Sequence, residues 1–222
     1  MPVVTTAENP LMPTLVARST VVAPATSGRG ANLSGYGWTE SGAARHPAPV
    51  RSFSACVGSA QTPLGPVLVV TSGERLAGLF FDGHPRTPAL PGLQRCETGA
   101  LDRVRTELDE YFAGTRIVFE IPPMLEGTAF QIEVWSALIE IPPGTTATYG
   151  AIAGRLGRPR AARAVGAANG QNPISIIVPC HRLVGADGSL TGYGWGLDRK
   201  RRLIAHERQT GAGWAEVSSG RA

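Results

Sequence analysis

The stretch Ile177-Val178-Pro179-Cys180-His181-Arg182-Leu183-Val184 carries a cysteine between an apolar run that ends in proline and two basic side chains. The apolar residues predict a short buried strand that leads into Cys180. A free thiol has a pKa near ~8.5, and neighbouring cations lower it, so His181 and Arg182 favour a reactive thiolate. The alternative is that Cys180 is a small buried core residue, the usual role of a lone cysteine after an apolar strand.

Length and composition indicate a globular protein. The chain has 222 residues, of which 42% are hydrophobic, and this suits one large domain or two small ones. No run approaches the ~18 apolar residues of a membrane span, and the N-terminus lacks the pattern of a secretory signal, so we expect a cytoplasmic protein with no membrane partner. The cysteines at 56, 96 and 180 are odd in number and lack framework spacing, which argues against a disulfide scaffold.

Positive charge is concentrated in the second half of the chain. Residues 51–128 carry 7 basic and 9 acidic side chains, a net charge of −2, whereas residues 129–210 carry 10 basic and 5 acidic ones, a net charge of +5. Clustered Lys and Arg attract phosphate groups and favour a nucleic-acid partner, although a mildly basic face is also typical of ordinary solvated surface. The run Arg199-Lys200-Arg201-Arg202 is a candidate for either.

Composition divides the chain into segments. Residues 1–50 are rich in Pro, Thr, Ala, Ser and Gly, which predicts a disordered or loosely docked tail. The rest is predicted to comprise an N-terminal α+β domain at 51–120, a linker at 121–127, a C-terminal domain at 128–210 and a flexible tail at 211–222.

Three strands and one helix are predicted in the N-terminal domain. Short apolar runs near 54–57, 65–70 and 76–81 are separated by turn residues and predict a small antiparallel sheet. The period of residues 100–112 predicts a helix that covers this sheet. Its polar face would carry Asp102, Arg105, Glu107 and Asp109.

Helices dominate the predicted C-terminal domain. Thr128 is a candidate N-cap for a helix over 129–139. Two short helices follow, at about 149–156 and about 159–168, in the spacing of a helix-turn-helix. We therefore predict an α+β fold: a small N-terminal antiparallel sheet with a covering helix, then a mainly helical domain with a winged-helix-like helix-turn-helix and Cys180 after a short strand.

The second helix of this pair is poor in large side chains. Ala162, Ala164 and Gly166 are small, and the long side chains are those of Arg160 and Arg163. Small residues let a helix approach a DNA groove closely, with Arg163 at its centre. The alternative is an Ala-rich helix packed in the core.

Seven motifs occur in order between residues 127 and 207. They are Gly127-Thr128-Ala129-Phe130-Gln131, Thr148-Tyr149-Gly150, Ala161-Ala162-Arg163-Ala164-Val165-Gly166, Asn172-Pro173, Pro179-Cys180-His181-Arg182, Gly192-Tyr193 and Leu203-Ile204-Ala205-His206-Glu207. Through them the chain closely resembles the O6-alkylguanine-DNA alkyltransferases, a family of direct-reversal DNA repair proteins. Residues 62–83 resemble the family's N-terminal sheet more weakly.

The resemblance implies what the protein does to DNA. A monomer would bind the minor groove of double-stranded DNA and transfer a methyl or larger alkyl group from guanine O6, or thymine O4, irreversibly to Cys180. Because O6 is out of reach in a stacked duplex, the base must be flipped out. Arg163 is implied to fill the vacated stack. Its helix and the residues before it would contact DNA through Arg160, Ala162, Ala164 and Gly166, with Tyr149 beside the phosphate.

The resemblance also implies catalytic roles. His181 would act as the base for Cys180 through a water molecule, and Glu207 would orient the imidazole. Tyr149 would donate a proton or hydrogen bond to guanine N3, and Asn172 would brace the turn before Cys180. The pocket is implied to be lined by Leu183, Tyr193, Gly194 and Trp195. No metal or organic cofactor is implied, because the thioether is stable and the protein is consumed.

Two departures from the family pattern bear on substrate and metal. Gly194 and Trp195 stand where some relatives have a small hydroxyl residue and a glycine, so we expect that methyl is accepted well and bulky O6-benzyl groups poorly. Some relatives bind zinc in the N-terminal domain. Here Cys56, His84 and Cys96 are too few and irregular, so no metal is predicted.

Three other functions fit part of the pattern. A Cys-His hydrolase would share Cys180 and His181 but has no use for Arg163, and turnover of an ester or amide would identify it. A transcription factor would explain the helix-turn-helix but not the thiol, and sequence-specific binding without methyl transfer would identify it. A protein that binds alkylation lesions without transfer would resemble this family with the cysteine replaced, and Cys180 argues against it.

Overall fold

The computed structural model describes residues 55–83, 87 and 94–219, of which 211–219 are described as backbone only. Its first elements form a four-stranded sheet. The strands are β1 (Ala55–Ala60), β2 (Val67–Ser72), β3 (Arg75–Phe81) and β4 (Gln94–Arg95), in the order β3-β2-β1-β4. Strands β1 to β3 are antiparallel, as predicted. The prediction of a purely antiparallel sheet is wrong, because β4 pairs parallel to β1. Its two residues are too short to show a period.

Helix α1 (Gly99–Ala113) packs on this sheet, as its apolar period predicts. It begins at Thr98, whose hydroxyl accepts from the backbone of Leu101, and ends at Gly114 in the left-handed conformation. The predicted polar face is wrong at Glu107, which is buried. Its carboxylate accepts backbone N–H groups from residues 120 and 121, at 2.8 and 3.2 Å, and so holds the end of the segment that follows α1.

The next helices follow the predicted order. Helix α2 (Ala129–Ile139) has the predicted bounds, and Thr128 and Gln131 form a capping box at its start. Strand β5 (Ala147–Thr148) leads into helix α3 (Tyr149–Arg155), and helix α4 (Ala162–Gly170) follows. The predicted start of α4 at about 159 is wrong. A turn closed by the Ala161 N–H on the Arg158 carbonyl, at 2.8 Å, occupies these residues instead.

The segment around Cys180 differs from the prediction. Residues 174–178 form turns with a single bridge to β3, and Cys180–Arg182 form a short 3₁₀ helix, so Cys180 does not follow a strand. The strand comes after it, as β6 (Leu183–Val184), and pairs parallel to β5. Helix α5 (Leu197–Ser219) ends the described chain. Residues 211–219 of this helix belong to the segment for which the sequence predicts a flexible tail.

The two predicted domains share one hydrophobic core. Strand β3 forms isolated parallel bridges from Leu76 to Pro123 and from Leu79 to Ile174. The indole of Trp195 packs on Phe80 of the same strand, with ring centroids 6.3 Å apart. The N-terminal sheet therefore supports the segment that leads to Cys180.

The prediction for the cysteines is wrong in one respect. Cys56 and Cys96 form a disulfide that joins β1 to the end of β4, with Cα atoms 5.6 Å apart. An odd count leaves one thiol but does not prevent the other two from pairing. The cysteine count therefore gives no support for a reducing compartment. The predicted tail at 1–50 and His84 lie outside the described residues.

None of the helices in the described part of the chain combines the length and apolar character that a membrane crossing requires.

Candidate active site

Glu207, on α5, lies at the centre of a buried hydrogen-bond network. Its Oε1 accepts from Tyr111 Oη at 2.9 Å, His181 Nε2 at 2.8 Å and Arg182 Nη2 at 2.8 Å. Its Oε2 accepts from Arg182 Nε at 2.9 Å and the Gly144 N–H at 3.1 Å. Burial raises the pKa of Glu207, but the hydrogen bonds and charges of His181 and Arg182 outweigh burial and hold this pKa well below its usual range. Glu207 is therefore an ionised, acceptor-only group at neutral pH.

This carboxylate determines which nitrogen of His181 carries the proton. The imidazole is fully buried, and burial lowers its pKa below 6.5 despite the opposing hydrogen bond and charge of Glu207, so the ring is neutral at pH 7. Because Glu207 can only accept, Nε2 carries the hydrogen and Nδ1 keeps its lone pair. Nδ1 is buried and has no hydrogen-bond partner among the described residues. The geometry thus leaves Nδ1 able to take a proton.

Cys180 is the residue before this histidine and is also buried. Its backbone N–H donates to the Val178 carbonyl at 2.8 Å. Burial has the largest effect on three nearby pKa values: it raises those of Tyr149 and Tyr193 and lowers that of Lys200. Negative charge on Cys180 raises each of these pKa values. A thiolate at Cys180 therefore acts electrostatically on groups from three different segments.

Asn172 forms hydrogen bonds across the turn that leads to Cys180. Its Nδ2 donates to the carbonyls of Ile174 and Val178 at 3.3 and 2.8 Å, and its Oδ1 accepts from the Ile174 N–H at 2.9 Å. Within this turn Ile176 has a φ of +70°, an unfavourable conformation for a β-branched residue. The contacts of Asn172 hold the chain in this bent path.

Tyr149 is the first residue of α3, which Thr148 caps. Its hydroxyl donates to the carbonyls of Thr191 and Gly192 at 3.2 and 3.4 Å. The ring lies beside α4, since a Cβ added to Gly166 would be 3.7 Å from it. Burial raises the pKa of Tyr149, so the hydroxyl keeps its proton at neutral pH and remains a donor.

Helix α4 has one buried and one exposed face. Val165 and Ala168 are buried, whereas Arg163 and Ala164 are exposed. Ala162 and Gly166 are half-buried. The alternative of an Ala-rich helix packed in the core therefore applies to one face of α4 only.

Two arginines of this region have no partner in the described part of the chain. Arg163 on α4 and Arg160 in the preceding turn are exposed, and neither makes a hydrogen bond or ion pair to any residue that the structure describes. By contrast, the neighbouring Arg158 forms an ion pair with Glu133. Arg160 and Arg163 are thus available to an anionic partner.

The predicted pocket residues are mostly buried. Tyr193 has a buried hydroxyl without a hydrogen-bond partner among the described residues. Trp195 packs on Phe80 and on Phe81, the latter with ring centroids 5.8 Å apart, a contact that its sequence position does not predict. Leu183 is buried and Gly194 half-buried.

Arg182 is part of the hydrogen-bond network around Glu207. Its guanidinium donates to both carboxylate oxygens of Glu207 and to the Ile141 carbonyl. A signal for this was present, because an arginine inside an apolar stretch is expected to be buried, and a buried arginine needs a carboxylate.

Lys200 was predicted to contact phosphate or solvent, and this is wrong. Its side chain is fully buried, and its ammonium donates to the Thr191 carbonyl, which also accepts from Tyr149. Burial lowers the pKa of Lys200 to about 8. The helical period gives the signal, since position 200 shares a face with the buried Leu203 and Glu207.

Two family models match this chain. The model for the DNA-binding domain of 6-O-methylguanine DNA methyltransferase matches residues 129–209. The model for the ribonuclease-like domain of 6-O-methylguanine DNA methyltransferase matches residues 56–123. Together they span both predicted domains.

Curated relatives and solved structures agree with these matches. The methylated-DNA–protein-cysteine methyltransferase of Mycobacterium leprae is 47% identical over 150 residues, which are 68% of this chain and 90% of the relative. That of Methanosarcina acetivorans is 44% identical over 147 residues, covering 66% and 94% of the two chains. The crystal structure of Mycobacterium tuberculosis OGT in complex with DNA superposes with a TM-score of 0.65 at 42% identity, covering 70% of this chain and 93% of that one.

Proposed function

This chain belongs to the 6-O-methylguanine DNA methyltransferase family, and we propose that Cys180 is the sulfur that takes up the alkyl group. Its activity is DNA repair by transfer of an alkyl group from DNA to one of its own cysteines, and DNA is its partner. We further propose that its target is O6-alkylguanine and that the residues named below perform each step.

The arrangement of His181 and Glu207 next to Cys180 is the observation that carries this proposal. Glu207 keeps the proton of His181 on Nε2, so Nδ1 takes the thiol proton, directly or through a water molecule. The thiolate attacks the alkyl carbon, the S–C bond forms and the bond from carbon to guanine O6 breaks. The thioether is stable, so each chain reacts once.

Tyr149 and Lys200 support the departure of guanine in this scheme. The Tyr149 hydroxyl keeps its proton at neutral pH and donates it, or a hydrogen bond, to the leaving base. Lys200 and Tyr149 both donate to the Thr191 carbonyl. Lys200 therefore fixes the loop segment that faces this tyrosine. Asn172 keeps Cys180 in position through the preceding turn.

We propose that Arg163 enters the base stack of double-stranded DNA while α4 lies in the minor groove. Its exposure and lack of a partner among the described residues support this role, and the small residues beside it permit a close approach. Arg163→Ala should slow repair of a lesion in a duplex at least about tenfold but change repair of the same lesion in a single strand much less, because only the duplex requires flipping. Arg201→Ala, which removes the same charge from α5, is the control. Equal losses on both substrates would contradict a role in flipping.

We further propose that Trp195 limits the size of the alkyl group. The indole is held by Phe80 and Phe81, so it cannot turn aside easily. Methyl should be accepted well and O6-benzyl poorly. Equal inactivation rates by a methylated oligonucleotide and by free O6-benzylguanine would contradict this proposal.

A monomer in the cytoplasm is the form we propose for the active protein. All residues assigned above come from one chain, which supports a monomer.

The decisive experiment is intact-protein mass spectrometry after reaction with a duplex that contains one O6-methylguanine. The wild-type protein should gain one methyl group that maps to Cys180, and Cys180→Ser should gain none. A double variant, Cys56→Ser with Cys96→Ser, should still react and controls for the other cysteines. Tight binding of the lesion without a mass gain would contradict transfer and indicate a damage-binding protein.

A further inference from the structure

One donor to Glu207 comes from outside the domain that carries Cys180. Tyr111 belongs to α1 of the N-terminal domain and lies 96 positions before Glu207 in the sequence. Its hydroxyl is buried and donates to Glu207 Oε1 at 2.9 Å. This is the same oxygen that accepts from His181 Nε2.

The position of Tyr111 is fixed on several sides. Its ring contacts those of Phe112, Phe119 and His206, with centroids 5.1, 5.1 and 5.0 Å apart. His206 Nε2 also lies 2.7 Å from the Tyr111 carbonyl oxygen, which ties α1 to α5 one residue before Glu207. The hydroxyl therefore cannot leave Glu207 without moving the ring out of this cluster.

We propose that Tyr111 is a positioning residue for alkyl transfer, through which the N-terminal domain orients Glu207 toward His181. The inference rests on the role proposed above for Glu207. It assigns to the ribonuclease-like domain a direct part in the chemistry of its neighbour.

The physical effect of Tyr111 is on the basicity of His181. A hydroxyl that donates to Oε1 withdraws negative charge from the oxygen that faces the imidazole. Without it, the carboxylate would stabilise the protonated imidazole more strongly, and the pKa of His181 would rise. His181 would then be protonated, and unable to act as a base, at a higher pH than in the wild type. In the described part of the chain, the ionisable groups that act on Glu207 or His181 are Tyr111 from α1, Arg182 from the 3₁₀ helix, Tyr193 from the loop before α5 and Lys200 from α5, and Cys180 is the sequence neighbour of His181.

Tyr111→Phe tests this effect because it removes the hydroxyl and keeps the ring. Loss of one hydrogen bond to a charged group should move the acid limb of the transfer rate upward by about one pH unit. The variant should react about tenfold more slowly than wild type on the acid side and nearly as fast at alkaline pH. Binding of lesion-containing DNA should not change.

Val104→Ala is the matched control for stability, since Val104 is a fully buried, apolar residue of α1, and its side chain cannot donate a hydrogen bond to Glu207. It should lower the melting temperature and leave the pH profile in place. If Tyr111→Phe melts lower but keeps the wild-type profile, Tyr111 is only structural and the inference is wrong.

Glu207→Gln separates failure of the inference from failure of the proposed function. If Glu207→Gln slows transfer and Tyr111→Phe does not, only the role of Tyr111 is overturned. If Glu207→Gln transfers methyl at the wild-type rate, the proposed role of Glu207 itself is wrong, and the inference falls with it.

Discussion

Glu207 shows how much surrounding structure one buried charge requires. A carboxylate removed from water is costly unless donors replace its hydration, and here five donor groups surround its two oxygens. These donors come from α1, from the turn at Gly144 and from the 3₁₀ helix. The orientation of His181 is therefore a property of several segments that must all be in place.

Acid should destabilise the folded protein in two steps. Burial keeps the pKa of His181 below 6.5, so the unfolded chain binds the extra proton first, and the free energy of unfolding falls as the pH drops below about 6.5. The pKa of Glu207 is also lowered, from 4.5, so its contribution is present above about pH 4.5 and is lost as the pH falls further. Urea unfolding at about pH 8, 6 and 4 measures both steps.

His181→Gln, which does not titrate, should remove the first step and keep the second. An unfolding free energy that rises between about pH 7 and 5.5 in the wild type would contradict a neutral, buried His181.

At the scale of single residues, the motifs single out Cys180, His181 and Glu207, and the structure brings His181 and Glu207 into contact. The sequence was not informative about Tyr111, whose partner lies far away in the chain and in another domain. Lys200 was assigned to the wrong surroundings, since a basic side chain suggests solvent or phosphate until its burial is known.

At the scale of elements, the loop before α5 limits where the Tyr149 hydroxyl can lie. Gly192 has a φ of +58°, and a Cβ placed on it would lie 2.8 Å from the Tyr149 hydroxyl. Gly188, in the same loop, has a φ of +79°, but a Cβ placed there would have no atom within 4 Å. The two glycines therefore share a backbone requirement and differ in their contact with Tyr149.

Gly192→Ala and Gly188→Ala should have similar effects on stability and different effects on activity. Each substitution forces an alanine into the left-handed region, at a cost of about 1–2 kcal/mol that thermal melting can measure. Only Gly192→Ala should also slow methyl transfer, because Tyr149 must move. Equal transfer rates in the two variants would contradict the proposed role of the Tyr149 hydroxyl.

Elements with local signals were predicted well, and those that depend on distant contacts were not. The capping box of Thr128 and Gln131 sets the start of α2, and the prediction agrees with the structure there. Strand β4 exists only because β1 lies beside it. The turns before Cys180 replace the predicted strand because Asn172 binds the carbonyls of Ile174 and Val178.

At the scale of the whole molecule, α5 contacts the N-terminal domain through interactions that the sequence does not predict. Arg199 on α5 stacks over Phe81 with its guanidinium carbon 4.6 Å from the ring centroid, and its Nε donates to the Leu64 carbonyl at 3.1 Å. Arg202 donates to the Pro63 carbonyl at 2.9 Å. Two basic residues that charge patterning directed toward phosphate thus bind the N-terminal domain.

These contacts predict that the two domains unfold together. Phe81→Ala removes a fully buried ring of β3 and should lower the free energy of unfolding by about 3–5 kcal/mol. Because Trp195 and Arg199 pack on that ring, the segment around Cys180 should be destabilised as well. Urea titrations followed in parallel by far-UV circular dichroism and by labelling of the Cys180 thiol should give one common midpoint, shifted to lower urea in the variant. The matched control is Val118→Ala, an exposed substitution that should shift neither signal. The domains would be independent if, in Phe81→Ala, part of the circular dichroism signal were lost at lower urea while Cys180 became reactive only at the wild-type urea concentration. In that case Tyr111 could not transmit the state of one domain to the chemistry of the other.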